Sequence, residues 1–234
     1  AEDGIRDRSP SRGLGDVYKR QTTNKPTMTK LYYTATSCGA ASFILAHTAG
    51  LQLETEQVDL GTHVTSSGAD FYGINPKGNV PALVLDDGTV LNENVAVQLW
   101  IADQKPGTVA PAPGTPERYA LLNALSYVAT EVHPAIGCFF MPGAAADVTA
   151  MFRQRVAAKL DYLSKTFIGD RRFIVGDSFT VVDAYLYIAL SWTQYVGIDL
   201  AEYPKVKAYY EGIANLPNVK AAHTRIAENP ATVL

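Results

Sequence analysis

The sequence predicts a small α/β unit followed by an all-α domain. Strand-like and helix-like segments alternate from Lys30 to Gln104, whereas from Pro116 onward the apolar spacing is helical, with no strand candidate of comparable quality. Between the two parts, Pro106, Gly107, Pro111, Pro113 and Gly114 make a rigid linker. A chain of 234 residues, 47% of them apolar, is long enough to bury a core in each part.

The well-patterned sequence starts at Met28, read as the true start. Residues 1–27 are rich in Arg, Ser, Gly, Asp and Lys and lack apolar periodicity, so they read as a disordered or artefactual leader. The run 6–21 is similar to translated sequencing-adapter DNA. Acidic Glu2, Asp3, Asp7 and Asp16 oppose a transit peptide, and the want of an apolar core opposes a secretory signal.

Lys30 to Thr34 (KLYYT) reads as the first strand and Cys38 to Ala49 as the first helix, with Gly50 at the position that ends helices. Leu53 to Leu60 alternates loosely as a second strand, and Gly68 to Ile74 suits a short helix stopped by Asn75-Pro76-Lys77-Gly78. Ala82 to Leu85 and Thr89 to Leu91 flank Asp86-Asp87-Gly88 as a hairpin. Asn92 to Gln104 closes the unit as a helix. The order is β-α-β-α-β-β-α over residues 28–107, with 108–115 as linker.

Residues 116–234 form the helical domain. Thr115-Pro116-Glu117 places an N-cap before a proline at the first helical position. Helical patterns cover Pro116 to Phe140, Val148 to Phe167, Val181 to Val196, Pro204 to Asn215 and Asn218 to Ala227. Thr180 and Asp183 are spaced as a capping box, a folding device.

A net charge of −3 with mixed signs gives no long-range field for nucleic acid or an anionic membrane. No apolar run reaches the roughly 18 residues that span a bilayer. Cys38 and Cys138 form no CxxC or metal-ligand spacing, which points to a reducing, cytoplasmic address and to chemistry without a metal.

The element order, with Val80-Pro81 opening the third strand within Asn75 to Leu83 (NPKGNVPAL), is thioredoxin-like. From Met28 to Ala227 the chain resembles the cytosolic glutathione transferases, and among them the bacterial beta class. The resemblance implies a homodimer that takes glutathione as cosubstrate and small hydrophobic electrophiles as partners. It implies a cis bond between Val80 and Pro81, turning the Val80 backbone toward the cysteinyl part of glutathione. Glu93 and Asn94, at the start of the next helix, are expected to meet a glutathione carboxylate; Asn94 departs from the usual Ser, Thr or Gly.

Cys38 aligns with the characteristic beta-class cysteine, and its place in the first helical turn favours a lowered thiol pKa. Tyr33 aligns with a strand-end tyrosine, which either touches ligand or packs. His63 occupies about the place of a family lysine that meets the glycyl carboxylate, or is a solvated loop histidine. In Tyr127 to His133 (YVATEVH), His133 aligns with an active-site histidine that favours the thiolate. Glu131 either approaches the γ-glutamyl amine across the dimer or is a solvated helix carboxylate. The family's Asn near Ser126 and basic residue at Pro134 are absent. Of Phe139, Phe140, Met141, Trp192 and Tyr195, the last two are singled out for a hydrophobic cosubstrate pocket.

Conjugation of the glutathione thiolate to hydrophobic electrophiles, a detoxifying role, is the expected activity. Two alternatives stand beside it: a Cys38-dependent thiol-disulfide oxidoreductase or peroxidase, and a non-catalytic scaffold of the same fold.

Overall fold

The computed structural model of the chain describes residues 28–143, 145–228 and 231–233; the leader expected over residues 1–27 lies outside them. The first unit runs β1 (Lys30–Tyr33), α1 (Gly39–Ala49), β2 (Glu54–Asp59), β3 (Val64–Thr65), β4 (Ala82–Val84), β5 (Val90–Leu91) and α2 (Asn94–Gln104). The second runs α3 (Pro116–Tyr127), α4 (His133–Gly137), α5 (Ala146–Tyr162), α6 (Val181–Ser191), α7 (Pro204–Ala214) and α8 (Pro217–Glu228), and ends in β6 (Ala231–Val233). This is a thioredoxin-like unit joined to a helical one.

The sheet order is β3-β2-β1-β4-β5. β1 is parallel to β2, with Lys30 opposite Glu54 and Tyr33 opposite Gln57, and antiparallel to β4. The β4–β5 hairpin turns at Gly88, whose φ of 85° is left-handed. Residue alternation along β1 sends Leu31 and Tyr33 to the face covered by α1, and Tyr32 to the opposite face with Val58, Phe71, Val80 and Ala82. At β2, the buried Glu56 carboxylate meets Lys30 Nζ at 2.6 Å and accepts the Ser67 N–H at 2.9 Å, tying β1 and the turn after β3 together.

Three short features escaped the sequence reading. β3 and β6 have two and three residues, too few to show a period. β6 pairs antiparallel with β2, Glu54 opposite Val233, so the part expected to be all-α returns one strand to the sheet. The helix expected over Gly68 to Ile74 is a single 3-10 turn, Phe71–Gly73, capped by Asp70, whose Oδ1 accepts the Tyr72 N–H at 3.0 Å. Only Phe71 of that turn is buried, too narrow a face to hold a longer helix.

Helix α1 is buried on nearly every side, from Gly39 to Ala46, and it packs on the sheet, α2, α6 and α8 alike. Gly50 ends it at φ 61°, its N–H returned to the carbonyls of Ala46 and His47. One continuous apolar cluster runs from Leu31 and Phe43 through Ile101 and Leu125 to Leu186 and Val219. The junction is stitched by polar groups as well. Buried Arg118 reaches Asp103 at 2.8 Å and the Pro111 carbonyl at 3.2 Å, and the Val181 N–H donates to Val109 O at 2.9 Å.

In the helical part, Thr115 Oγ1 accepts the Arg118 N–H at 3.2 Å, the expected cap of α3. Asp183 is a buried hub: it accepts from Thr180 N and Oγ1, Ile174 N and Tyr209 OH at 2.8–2.9 Å, completing the expected capping box of α6. The single helix expected from Pro116 to Phe140 is interrupted by a π turn, Val128–Val132. Pro134 follows directly and has no N–H to return to the preceding turn, so the ladder widens there. Among the described residues no helix is long and apolar enough to cross a membrane.

Candidate active site

The residues that converge come from four stretches of chain. Cys38 stands at the N-cap of α1, Asn79 and Val80 lead into β4, Asn92 to Val95 open α2, and the π turn carries His133 inward with Pro134 and Gly137. They line a cleft of about 700 Å3, closed by Phe152 and Arg155 of α5 and Tyr185 of α6.

The motif before β4 laces one wall. Asn75 is buried; its Nδ2 donates to Asn79 O at 2.7 Å and its Oδ1 accepts Asn92 Nδ2 at 2.9 Å. Lys77 Nζ reaches Asn92 Oδ1 at 3.0 Å and pairs with Glu93 at 2.5 Å. The start of α2 is thereby held against the Asn79–Val80 backbone. The Val80–Pro81 bond is cis, as the resemblance implied, and Val80 O accepts the Cys38 thiol at 3.3 Å. Asn94 is buried at the cleft wall; its Oδ1 accepts from Ser42 at 3.3 Å, while its Nδ2 has no good hydrogen bond among the described residues. An orphaned amide beside a helix N-terminus suits a carboxylate oxygen.

The electrostatics of Cys38 run opposite to the sequence expectation. Burial pushes its thiol up to about 12, outweighing the Cys38 and Gly39 N–H groups that favour the thiolate, and the Glu93 carboxylate adds to the rise. The helix start is present, but desolvation wins.

His133 sits against the cleft with Nδ1 at 2.5 Å from the Tyr185 hydroxyl. Its ring meets Trp192 edge-on at 4.8 Å, and burial lowers its pKa. The Cδ2–Nε2 edge faces Gly137, where a Cβ would lie 3.4 Å from Cδ2. Tyr185 is also buried, its phenol pushed well above the ordinary range by burial and further by Cys38 and Glu93 nearby. The Asn94 amide lies close enough to favour that phenolate without forming a hydrogen bond of good geometry.

Five of the residues named from sequence stand apart from this cleft. Tyr33 is 0% exposed, its ring 4.8 Å from Phe43, and burial raises its phenol to about 12; strand alternation points it into the core, in keeping with the packing alternative. His63 adopts a left-handed φ of 55° and lays its ring on Tyr72 at 4.4 Å. Both rings crowd Gly78, where a Cβ would lie 2.8 Å from Tyr72 and 3.0 Å from His63. The packing keeps the imidazole off the cleft lining, with Nδ1 lacking a partner among the described residues. Glu131 is on the far side of the π turn, paired with Lys159 at 2.6 Å, which lowers its pKa. Trp192 backs the His133 ring and donates Nε1–H to Thr36 O at 2.8 Å, joining the two parts of the chain. Tyr195 is 59% exposed on the turn after α6 and reaches no cleft residue's lining. The apolar wall is made instead by Val95, Ala129, Pro134, Cys138, Met141 and Phe152.

Tyr185 and Arg155 were missed. Tyr185 closes the segment Phe173 to Tyr185, where the capping box drew the reading to folding alone. Arg155 looks like one more solvated charge on a mixed helix, and nothing in its spacing marks a site.

The model of the glutathione S-transferase N-terminal domain matches residues 38–104, and that of the C-terminal domain matches residues 132–223. The chain is 34% identical over 194 residues to glutathione S-transferase GstA of Escherichia coli O157:H7, covering 82% of this chain and 96% of that protein. Among solved structures it is similar to the bacterial beta class glutathione S-transferase of Sphingomonas chungbukensis, with 39% identity, TM-score 0.79, and coverage of 86% of this chain and 99% of that one. A sphingomonad glutathione S-transferase complexed with glutathione gives 40% identity and TM-score 0.80, over 86% of this chain and 100% of that one.

Proposed function

The chain belongs to the glutathione S-transferase family, is beta-class-like and is a glutathione transferase; from that premise we propose how its residues divide the work. Glutathione lies along the Asn79–Val80 backbone and the start of α2, with its sulfur toward Cys38 and His133. A hydrophobic electrophile occupies the wall of Val95, Met141 and Phe152. The observation that carries this reading is the meeting of Cys38, Val80, Asn94 and His133 around one cleft of about 700 Å3.

Tyr185 stays a phenol and donates to His133 Nδ1, which leaves the imidazole proton on Nε2. With its pKa lowered, the imidazole is neutral near pH 7, and the Nε2–H is the donor that favours a thiolate. Cys38 supplies a second donor when its S–H turns from the Val80 carbonyl to the glutathione sulfur. The sulfur then attacks the electrophilic carbon: a C–S bond forms, the bond to the leaving group breaks, and the leaving group takes the electron pair. The thiol proton goes to solvent. A thiolate favoured by two pKa units requires about 2.7 kcal/mol, within reach of a helix start and a few hydrogen bonds. A nucleophilic role for Cys38 needs its own thiolate, which burial opposes, so conjugation is preferred over thiol-disulfide exchange.

We extend the proposal to a homodimer acting in the cytoplasm in detoxification, with the domain division at residues 108–115; family membership supports each. Light scattering tests the dimer. For the site, ultraviolet titration of bound glutathione gives its thiol pKa. His133→Phe is expected to raise that pKa by about one unit, roughly 1.4 kcal/mol, and to lower kcat. An unshifted titration would remove His133 from the mechanism.

A further inference from the structure

Among the described residues, the apolar half of the cleft carries one cation. Arg155 lines it on α5, one turn beyond Phe152 and opposite the start of α2. The residue is exposed, and among the described residues it makes no hydrogen bond or close ion pair. The nearby carboxylates are already matched. Glu131, close enough to feel Arg155, is held by Lys159 at 2.6 Å, and Glu93 across the cleft is held by Lys77 at 2.5 Å. Arg155 therefore makes no close ion pair among the described residues, its nearest carboxylate Glu131 being already paired with Lys159, and it stands beside Cys138, Met141 and Phe152. Its charge also acts on the Cys138 sulfur, and both residues line the same cleft.

A purely apolar electrophile gains nothing from this group, whereas an apolar body bearing a carboxylate or sulfonate gains a planar, permanently charged fork. We infer that Arg155 selects electrophiles that carry an anionic group on a hydrophobic body. The inference rests on the cleft being the conjugation site described above. The carboxylates of glutathione are the other anions in such a cleft, and the test separates them from the electrophile.

The probes are a chloronitrobenzoate and its neutral chloronitrobenzamide counterpart. In both, the glutathione sulfur bonds to the ring carbon and chloride leaves with the electron pair. The readout is the ratio of kcat/KM for the benzoate over that for the benzamide. Arg155→Met is expected to lower this ratio roughly fivefold, the factor that about 1 kcal/mol of ion pairing supplies. Arg155→Glu lowers it further, Arg155→Lys keeps part of it, and added salt narrows it in the unsubstituted enzyme. A ratio unmoved by Arg155→Met overturns the assignment. So does a loss that appears as a raised KM for glutathione with both probes. Turnover of neither probe by the unsubstituted enzyme would overturn the conjugation site itself.

Discussion

The hydroxyl of Tyr185 and Nδ1 of His133 meet at 2.5 Å, although they stand 52 residues apart on different helices. The contact orients the imidazole ring, and with Tyr185 as the donor, as proposed above, the ring proton stays on Nε2. Tyr185→Phe removes that control while keeping the packing. The expected result is a fall in kcat of roughly three- to tenfold, equal to about 0.7–1.4 kcal/mol, with KM for glutathione little changed. Steady-state kinetics checks this; nuclear magnetic resonance of the imidazole should show both tautomers in the variant and one in the parent.

Cys38 offers a second test, since burial and a helix start pull its thiol in opposite directions. With the thiol pushed up to about 12, the thiolate is scarce at neutral pH. Alkylation of Cys38 by iodoacetamide should be slower at pH 7.5 than that of free glutathione and should rise steeply only in strong alkali. Peptide mapping by mass spectrometry distinguishes it from Cys138. Rapid labelling at pH 7.5 would return Cys38 to the role of nucleophile.

A third prediction concerns acid stability. Lys30 and the Ser67 hydrogen bond lower the Glu56 carboxyl from an ordinary 4.5 to about 2, against the opposing effect of burial. A depressed pKa in the folded state means that ionised Glu56 stabilises the fold above about pH 4.5, and that this contribution fades as pH falls toward 2. Glu56→Gln lacks the contribution at every pH. Urea unfolding should therefore show the variant less stable at neutral pH, with the gap to the parent narrowing through that acid window.

How much of this was legible beforehand depends on whether a residue's meaning is local. Gly50, Thr115 and the Thr180–Asp183 cap act within a turn of themselves, and the sequence reading found each; the bonds of Asp183 to Ile174 and Tyr209 are long-range and were not legible. The run Asn75 to Leu83 was also readable as a whole, including the cis bond at Val80. Tyr33 was left open between ligand and packing because a strand end says nothing about which face meets the cleft; its ring packs on Phe43, ten residues on. Trp192 and Tyr195 were chosen for their aromatic character, yet position decided otherwise. The indole is spent on Thr36 and the phenol faces outward. Cys38 shows the same limit in electrostatic form, because a helix start is visible in sequence and desolvation by burial is not. Arg155 became conspicuous only once Lys159 and Lys77 were seen to have claimed the surrounding carboxylates.

The way α1 is enclosed bears on what the chain tolerates. With β1, α2, α6 and α8 all packed against it, α1 is buried at every position from Ala40 to Ala46. A bulkier side chain there has nowhere to be absorbed, because α1 packs against both α6 and β1. The halves of this molecule are thus inherited together: swapping one for that of a distant cousin means repacking a shared wall, whatever the match of the linker.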